Sequence, residues 1–222
     1  ALAVFAQQDA FGDAGFDGVA KALRQDVRYT GQVPRVGYRR NNLDVHAAVE
    51  GIRSRKEVRA VVMVASYRAA ARFIQGVKDK RRDVAFAGVS FVESEALADE
   101  LRQLAPGYAQ GVIVTQVVPP IDSGSTAVSQ YRELLQSYYP NERASFCSLE
   151  GYLAARVLAE GLRRAGRGLT SETLVDALES IHAYDLGIGA PIHLGRSEHQ
   201  ASHKVWGTVL DREGRPQALD LE

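Results

Sequence analysis

Residues 60–65, AVVMVA, are apolar at every position, so a strand there must be covered on both faces. A run of this kind belongs in the middle of a parallel sheet, and its surroundings agree. Apolar stretches at Ala1–Ala6, Arg35–Tyr38, Val84–Val89 and Gly111–Val117 alternate with stretches of helical periodicity. The helices are predicted at Asp13–Gln25, at Leu43–Ser54 behind an Asn42 cap, at Tyr67–Val77 with Ala70, Phe73, Ile74 and Val77 on one face, and behind a Ser94 cap with Leu97, Leu101 and Leu104 inward. This alternation is the pattern of βαβ units.

The alternation stops at Pro119 and Pro120. From Val128 to Ile181 every signal is helical: Val128, Tyr131, Leu135 and Tyr138, then Leu149, Leu153 and Val157, then Leu174, Leu178 and Ile181 after a Thr170 cap. Three amphipathic helices without a strand between them need a surface to cover, and the preceding unit already has its own helices. Together with a first residue that opens directly on a buried strand, this reads as a piece of a larger protein. After a glycine-rich stretch from Tyr184, two short strands flank a turn at Glu213–Arg215.

Charge narrows the partners. Lys and Arg total 27 against 27 Asp and Glu, so no field favours nucleic acid or an anionic membrane surface. No apolar run approaches the roughly 20 residues of a membrane helix. One cysteine, Cys147, rules out an internal disulfide and a multi-cysteine metal site, and its neighbours Phe146 and Leu149 suggest a buried thiol.

The stretch DAFGDAGFDG places Gly12, Gly15 and Gly18 between a strand and a helix, where a phosphate cradle can form. Its spacing is G-x-x-G-x-x-G, not the dinucleotide pattern G-x-G-x-x-G. Asp9 and Asp13 put negative charge where a phosphate would sit, and Arg39 and Arg40 stand where a ribose-binding acid is expected. Close packing explains the glycines better: Gly12 for the turn, Gly15 and Gly18 for helix against sheet. Ligands of an open parallel sheet bind beyond the carboxyl ends of its strands, here Gln7–Phe11, Arg39–Asn42, Ala65–Tyr67, Ser90–Val92 and Gln116–Pro119. That rim is polar and aromatic, and suits a small organic ligand.

Elsewhere the plainer reading holds. His193, His199 and His203 fall in a polar turn before the last strands and need no metal, Glu93, Glu95, Asp99 and Glu100 suit the first turns of a helix, and Trp206 suits packing in a strand.

AVFAQQDAFGDAGFDGVAKAL, NNLDVHAAVEGI, VRAVVMVASYRAAARFIQGVK, FAGVSFVESEALADEL, GVIVTQVVPP and SLEGYLAARVLAEGLRRAG follow one another as in the type I periplasmic solute-binding proteins of branched-chain amino acid transporters, the Leu/Ile/Val-binding-protein-like family. The resemblance covers essentially the whole chain. It implies an α/β fold of the periplasmic-binding-protein type I: one complete Rossmann-like parallel-sheet lobe plus helices of a second lobe. Residues 1–118 would be the second lobe, 119–183 helices of the first, and 184–222 the return to the second, with roughly a hundred residues or more of the first lobe lying outside this chain.

The resemblance also implies site residues. Phe11 stands where branched-chain amino-acid binders carry a pocket-closing aromatic, and Ser66, with Tyr67 beside it, where they carry a ligand-contacting tyrosine. Ser90 stands where they carry the carboxylate that pairs with the ligand's α-amino group; Gln8 and Phe91 complete the set on the same rim. Without that carboxylate a charge-assisted hydrogen bond is lost, which points to amides, aromatic acids or other small metabolites beside amino-acid-like ligands. The implied partners are a small-molecule ligand and an ABC permease, with no cofactor, no metal and no chemistry, in a periplasmic or extracellular setting; a second copy of the chain is a further partner for the uncovered helices. The same fold serves as the ligand-sensing domain of receptors and regulators. A nucleotide-dependent α/β enzyme using the same rim is the reading from another class, and it lacks a phosphate fingerprint and a convincing nucleophile, base or metal set.

Overall fold

The computed structural model describes residues 1–26, 29 and 31–221; Val27, Arg28, Thr30 and Glu222, which fall in the expected first and last segments, lie outside them. Contacts divide the chain into two units, Ala1–Gln116 with Gly207 onward, and Val117–Trp206.

In the first unit, β1 (Leu2–Gln7), β2 (Arg35–Tyr38), β3 (Ala60–Val64), β4 (Ala85–Gly88) and β5 (Ile113–Gln116) alternate with α1 (Ala10–Gln25), α2 (His46–Arg53), α3 (Tyr67–Lys78) and α4 (Ser94–Leu104). The sheet runs β2-β1-β3-β4-β5 in parallel, with Leu2 opposite Ala60, Val61 opposite Phe86 and Gly88 opposite Val114. The strands β6 (Trp206–Leu210) and β7 (Pro216–Leu219) then add an antiparallel hairpin at the β5 edge, where Leu210 N–H donates to Val112 O at 2.8 Å.

The order reverses after the first crossover. The chain moves from β1 outward to β2 and then back past β1 to β3, so right-handed connections put α1 on one face and α2, α3 and α4 on the other. The cores follow this division. Val4, Ala6 and Val64 pack with Phe11, Phe16 and Val19 of α1, whereas Phe5, Val61, Met63 and Phe86 pack with Val49, Ile52, Phe73, Ile74, Leu97 and Leu101. Phe5 and Phe73 stack with ring centroids 4.0 Å apart, and Phe86 meets Phe73 edge-on at 6.2 Å. The apolar run at 60–65 is thus divided between both cores, as its composition requires.

Local chemistry moves several boundaries. Asn42 does not cap α2: its Oδ1 accepts the Asp44 N–H at 2.8 Å, and Asp44 Oδ1 accepts the His46 N–H at 3.1 Å, so two successive side-chain turns delay the helix to His46. Ser94 is the first residue of α4, not its cap, because its hydroxyl is taken by Gln116 Nε2 at 2.6 Å in a buried network with Thr208. The cap position falls to Glu93, whose φ of 55° is a conformation that costs a residue with a side chain about 1 kcal/mol. Glu93→Gly is therefore expected to raise the thermal midpoint by a few degrees, after allowing for the dipole interaction the carboxylate gives up. A fall in the midpoint would show that the carboxylate outweighs the backbone strain.

Among the three glycines of the opening stretch, Gly12 lies inside α1, not in a turn, and a Cβ on it would sit 1.8 Å from Gln7 O. Gly15 faces Val64, with a Cβ 2.5 Å from its methyl carbon, as close packing requires. Gly18 is exposed with nothing within 4 Å of a Cβ, so its expected packing role is corrected.

The second unit holds α5 (Thr126–Tyr138), α6 (Phe146–Ala165) and α7 (Ser171–Glu179). Thr170 caps α7 reciprocally with Thr173. Leu186, Ile188 and Ile192 fill the helical core beside Val128, Leu149 and Ile181, Leu194 N–H donates to Ile181 O at 2.8 Å, and the chain rejoins the first unit at Gly207. Cys147 is exposed, not buried, because α6 turns Phe146, Leu149 and Leu153 inward and carries position 147 away from them. Leu134 and Tyr138 on α5, Tyr139 just after it, and Leu158 and Leu162 on α6 are exposed.

Candidate functional site

A sheet ordered β2-β1-β3-β4-β5 has its topological switch between β1 and β3, where the two connections leave toward opposite faces and open a crevice at the strands' carboxyl ends. The residues beyond β1 and β3 are Gln8 to Phe11 and Ser66 with Tyr67. Phe11 and Ser66 thus flank the crevice by topology alone. The residues beyond β4, Ser90 to Val92, form one turn of 3₁₀ helix.

Two of the expected residues come into direct contact. The Phe11 and Phe91 rings lie 4.6 Å apart at a 52° tilt, Phe11 half-buried and Phe91 61% exposed. The pair leaves an exposed apolar face beyond the carboxyl ends of β1 and β4. Tyr67 is half-buried under the Arg68 guanidinium, 5.5 Å from its ring, and Arg68 also pairs with Glu100 at 3.2 Å. Ser90 is half-buried and its carbonyl accepts the Glu93 N–H at 3.0 Å; Gln8 is exposed, and its backbone N–H donates to Tyr38 O at 2.8 Å. The side chains of Gln8, Tyr67 and Ser90 stand on the rim without a bond to the Phe11–Phe91 pair.

Sequence reasoning did not single out Tyr38. It is 3% exposed, stacks on Phe5 at 5.2 Å, and its hydroxyl donates to Gln7 Oε1 at 2.9 Å while accepting the Ser66 N–H at 3.0 Å. The signal available was a tyrosine closing a short strand, whose buried hydroxyl must find partners. Gln7 in turn donates from Nε2 to Asp9 Oδ2 at 2.5 Å.

The α1 N-terminus is occupied from within. Asp9 Oδ1 accepts the Gly12 N–H at 3.2 Å, and this bond, with the Gln7 amide and the nearby Arg40, holds its carboxyl below the usual carboxylate range. Asp13 pairs with Arg35 at 2.6 Å. A phosphate would therefore meet the Asp9 and Asp13 carboxylates at this helix end. Nor do the histidines converge: His193 Nδ1 accepts the Ala183 N–H at 3.2 Å, His199 lies 3.0 Å from Glu179, and His203 3.4 Å from Glu198. Among the described residues no group of three or more His, Cys, Asp or Glu is placed to hold a metal, and no helix is long and apolar enough to cross a membrane.

Solved structures share this architecture across nearly all of the chain. A possible leucine/isoleucine/valine-binding protein from Rhodopirellula baltica is 32% identical, with a TM-score of 0.86 over 99% of this chain and 58% of its own. A substrate-binding periplasmic protein from Ralstonia solanacearum is 24% identical, with a TM-score of 0.85 over 98% of this chain and 61% of its own. A branched chain amino acid ABC transporter from Thermus thermophilus with bound valine superposes at 0.79 with 19% identity, over 99% of this chain and 59% of its own, which shows the fold alone. This chain thus spans about three fifths of the length of the structures it matches. No match is found among proteins of curated function. The profile of the periplasmic binding proteins matches residues 1–215, from the first strand to the final hairpin, and the chain belongs to that family.

Proposed function

We propose that this chain is part of an extracytoplasmic solute-binding protein that holds a small amino-acid-like, amide or aromatic metabolite at the β1/β3 crevice and hands it to an ABC permease without transforming it. The observation that supports this reading is the contact of the Phe11 and Phe91 rings at the carboxyl ends of the strands, with Ser66 following β3 at the switch point of the sheet. An aromatic pair supplies apolar contact area, and a serine on the same rim supplies orientation, which is the usual division of labour in a small-molecule pocket. Membership of a solute-binding family supports the absence of chemistry, and the Leu/Ile/Val-binding relative supports the ligand class.

The test is a thermal-shift screen of amino acids, amides and aromatic acids beside NAD, NADP, ATP and FAD. A ligand at a hundred times its Kd stabilises by about 2.7 kcal/mol, or roughly 5–10 °C for a chain of this size. A shift with a member of the first group, weakened at least about tenfold in affinity by Phe11→Ala, is the expected result. A shift produced by a nucleotide alone would replace this reading with that of a nucleotide-dependent enzyme.

A further inference from the structure

Four residues at the crevice form a hydrogen-bond chain whose direction is fixed at one end. Asp9, at the start of α1, is an ionised carboxylate and can only accept. The Gln7 amide atom 2.5 Å from it must therefore be the nitrogen, which turns Gln7 Oε1 toward Tyr38. A carbonyl oxygen cannot donate, so the single phenolic proton of Tyr38 is spent on Gln7, at 2.9 Å. The Tyr38 oxygen then accepts, and the Ser66 N–H reaches it at 3.0 Å.

Ser66 Oγ lies 3.4 Å from that same oxygen. With the Tyr38 proton committed elsewhere, a proton between these two oxygens belongs to Ser66. Ser66 also occupies the cap position of α3 without bonding a helix N–H through its side chain, so its lone pairs are not consumed there. The chain runs past a ring that is 3% exposed and stacked on Phe5, where low dielectric strengthens each bond in the series.

We infer that Ser66 acts at this site as a hydrogen-bond acceptor whose polarity is set by the relay Asp9–Gln7–Tyr38, and that it recognises a donor on the ligand, an ammonium or an amide N–H. This rests on the reading of the β1/β3 crevice as the ligand site. It gives the site a receiver for an amino or amide group even though Ser90 carries no charge, because the acceptor character arrives from β1 and β2 and not from β4. Tyr38 is then a positioning residue and Ser66 the contact.

Two matched pairs test it by calorimetry: L-leucine against its deaminated analogue 4-methylpentanoate, and phenylacetamide against the isosteric phenylacetate. The native protein is expected to prefer the donor-bearing member of each binding pair by about tenfold or more. Tyr38→Phe keeps the stacking ring and removes the relay. Asp9→Asn keeps an acceptor for the Gly12 N–H and lets Gln7 turn over. Both variants, and Ser66→Ala, are expected to reduce the preference to about twofold or less, and Tyr38→Phe combined with Ser66→Ala should be no worse than Ser66→Ala alone. A merely structural role for Tyr38 would lower affinity for both members equally and leave the ratio intact. That result, or a native preference for the acids, overturns the inference while leaving the site in place. If no member of either pair binds, or Phe11→Ala leaves binding unchanged, the crevice is not the ligand site and the inference falls with it.

Discussion

Gly12→Ala is expected to destabilise the protein by about 3 kcal/mol, whereas Gly18→Ala, six residues along the same helix, is expected to stabilise it by about 0.5–1 kcal/mol. The first methyl would lie 1.8 Å from Gln7 O, closer than any non-bonded pair can approach. Neither side can yield cheaply, because Gln7 ends β1 between β2 and β3, and Asp9 pins the start of α1 to Gly12 itself. Gly18 meets nothing, so its substitution only removes the excess backbone freedom of glycine from an exposed helix position. Urea unfolding of the two variants beside the native chain reads the difference directly. Equal and small effects would mean that α1 does not approach the end of β1 this closely; opposite signs would establish that glycines in one regular spacing do unrelated work.

That divergence marks how far sequence reasoning carries. The five parallel strands and the helices between them were legible because burial on both faces, as at Val61 to Val64, leaves no freedom in composition. So was the α7 start, where Thr170 offers a strong local cap. The two displaced helix starts share one physical cause, namely a polar side chain whose partner lies far off in the chain or in a competing local turn. Ser94 lost its cap role to Gln116, 22 residues away, and Asn42 spent its oxygen on a turn before the helix. The site divides in the same way. The positions of Phe11, Ser66 and Phe91 beyond strand ends follow from the alternation of strands and helices, but the bonds joining Gln7, Tyr38 and Ser66 cross 28 and 31 residues, and nothing local to Tyr38 announces them. Leu186, Ile188 and Ile192 are apolar enough for either unit, and only packing groups them with the helices.

Arg81→Ala is expected to cost about 3 kcal/mol, although its charge is one of 27 basic residues. Its guanidinium is a clasp for the turn between α2 and β3: Nη1 donates to Ile52 O at 3.2 Å and Arg55 O at 2.8 Å, and Nη2 to Lys56 O at 3.4 Å and Val58 O at 2.7 Å. Asp83 closes the arrangement from Nε at 3.3 Å and Nη2 at 2.8 Å, and the Arg81 side chain is only 12% exposed. One planar fork answers carbonyls that water reaches poorly, and a lysine cannot reproduce it, so Arg81→Lys should recover no more than about half of the loss. Asp83 adds a pH signature. Arg81 holds its carboxyl below the ordinary value, so the contribution of this pair is present above about pH 4 and disappears as acid protonates the folded carboxylate. Urea midpoints at pH 7 and pH 3 should therefore differ less in Arg81→Ala than in the native protein. If Arg81→Lys were as stable as the native chain, charge alone would suffice and the fork geometry would be irrelevant. If Arg81→Ala itself were neutral, water would have to satisfy all four carbonyls, and the turn would be held by the Val58 strand entry and the Ile52 core contact instead.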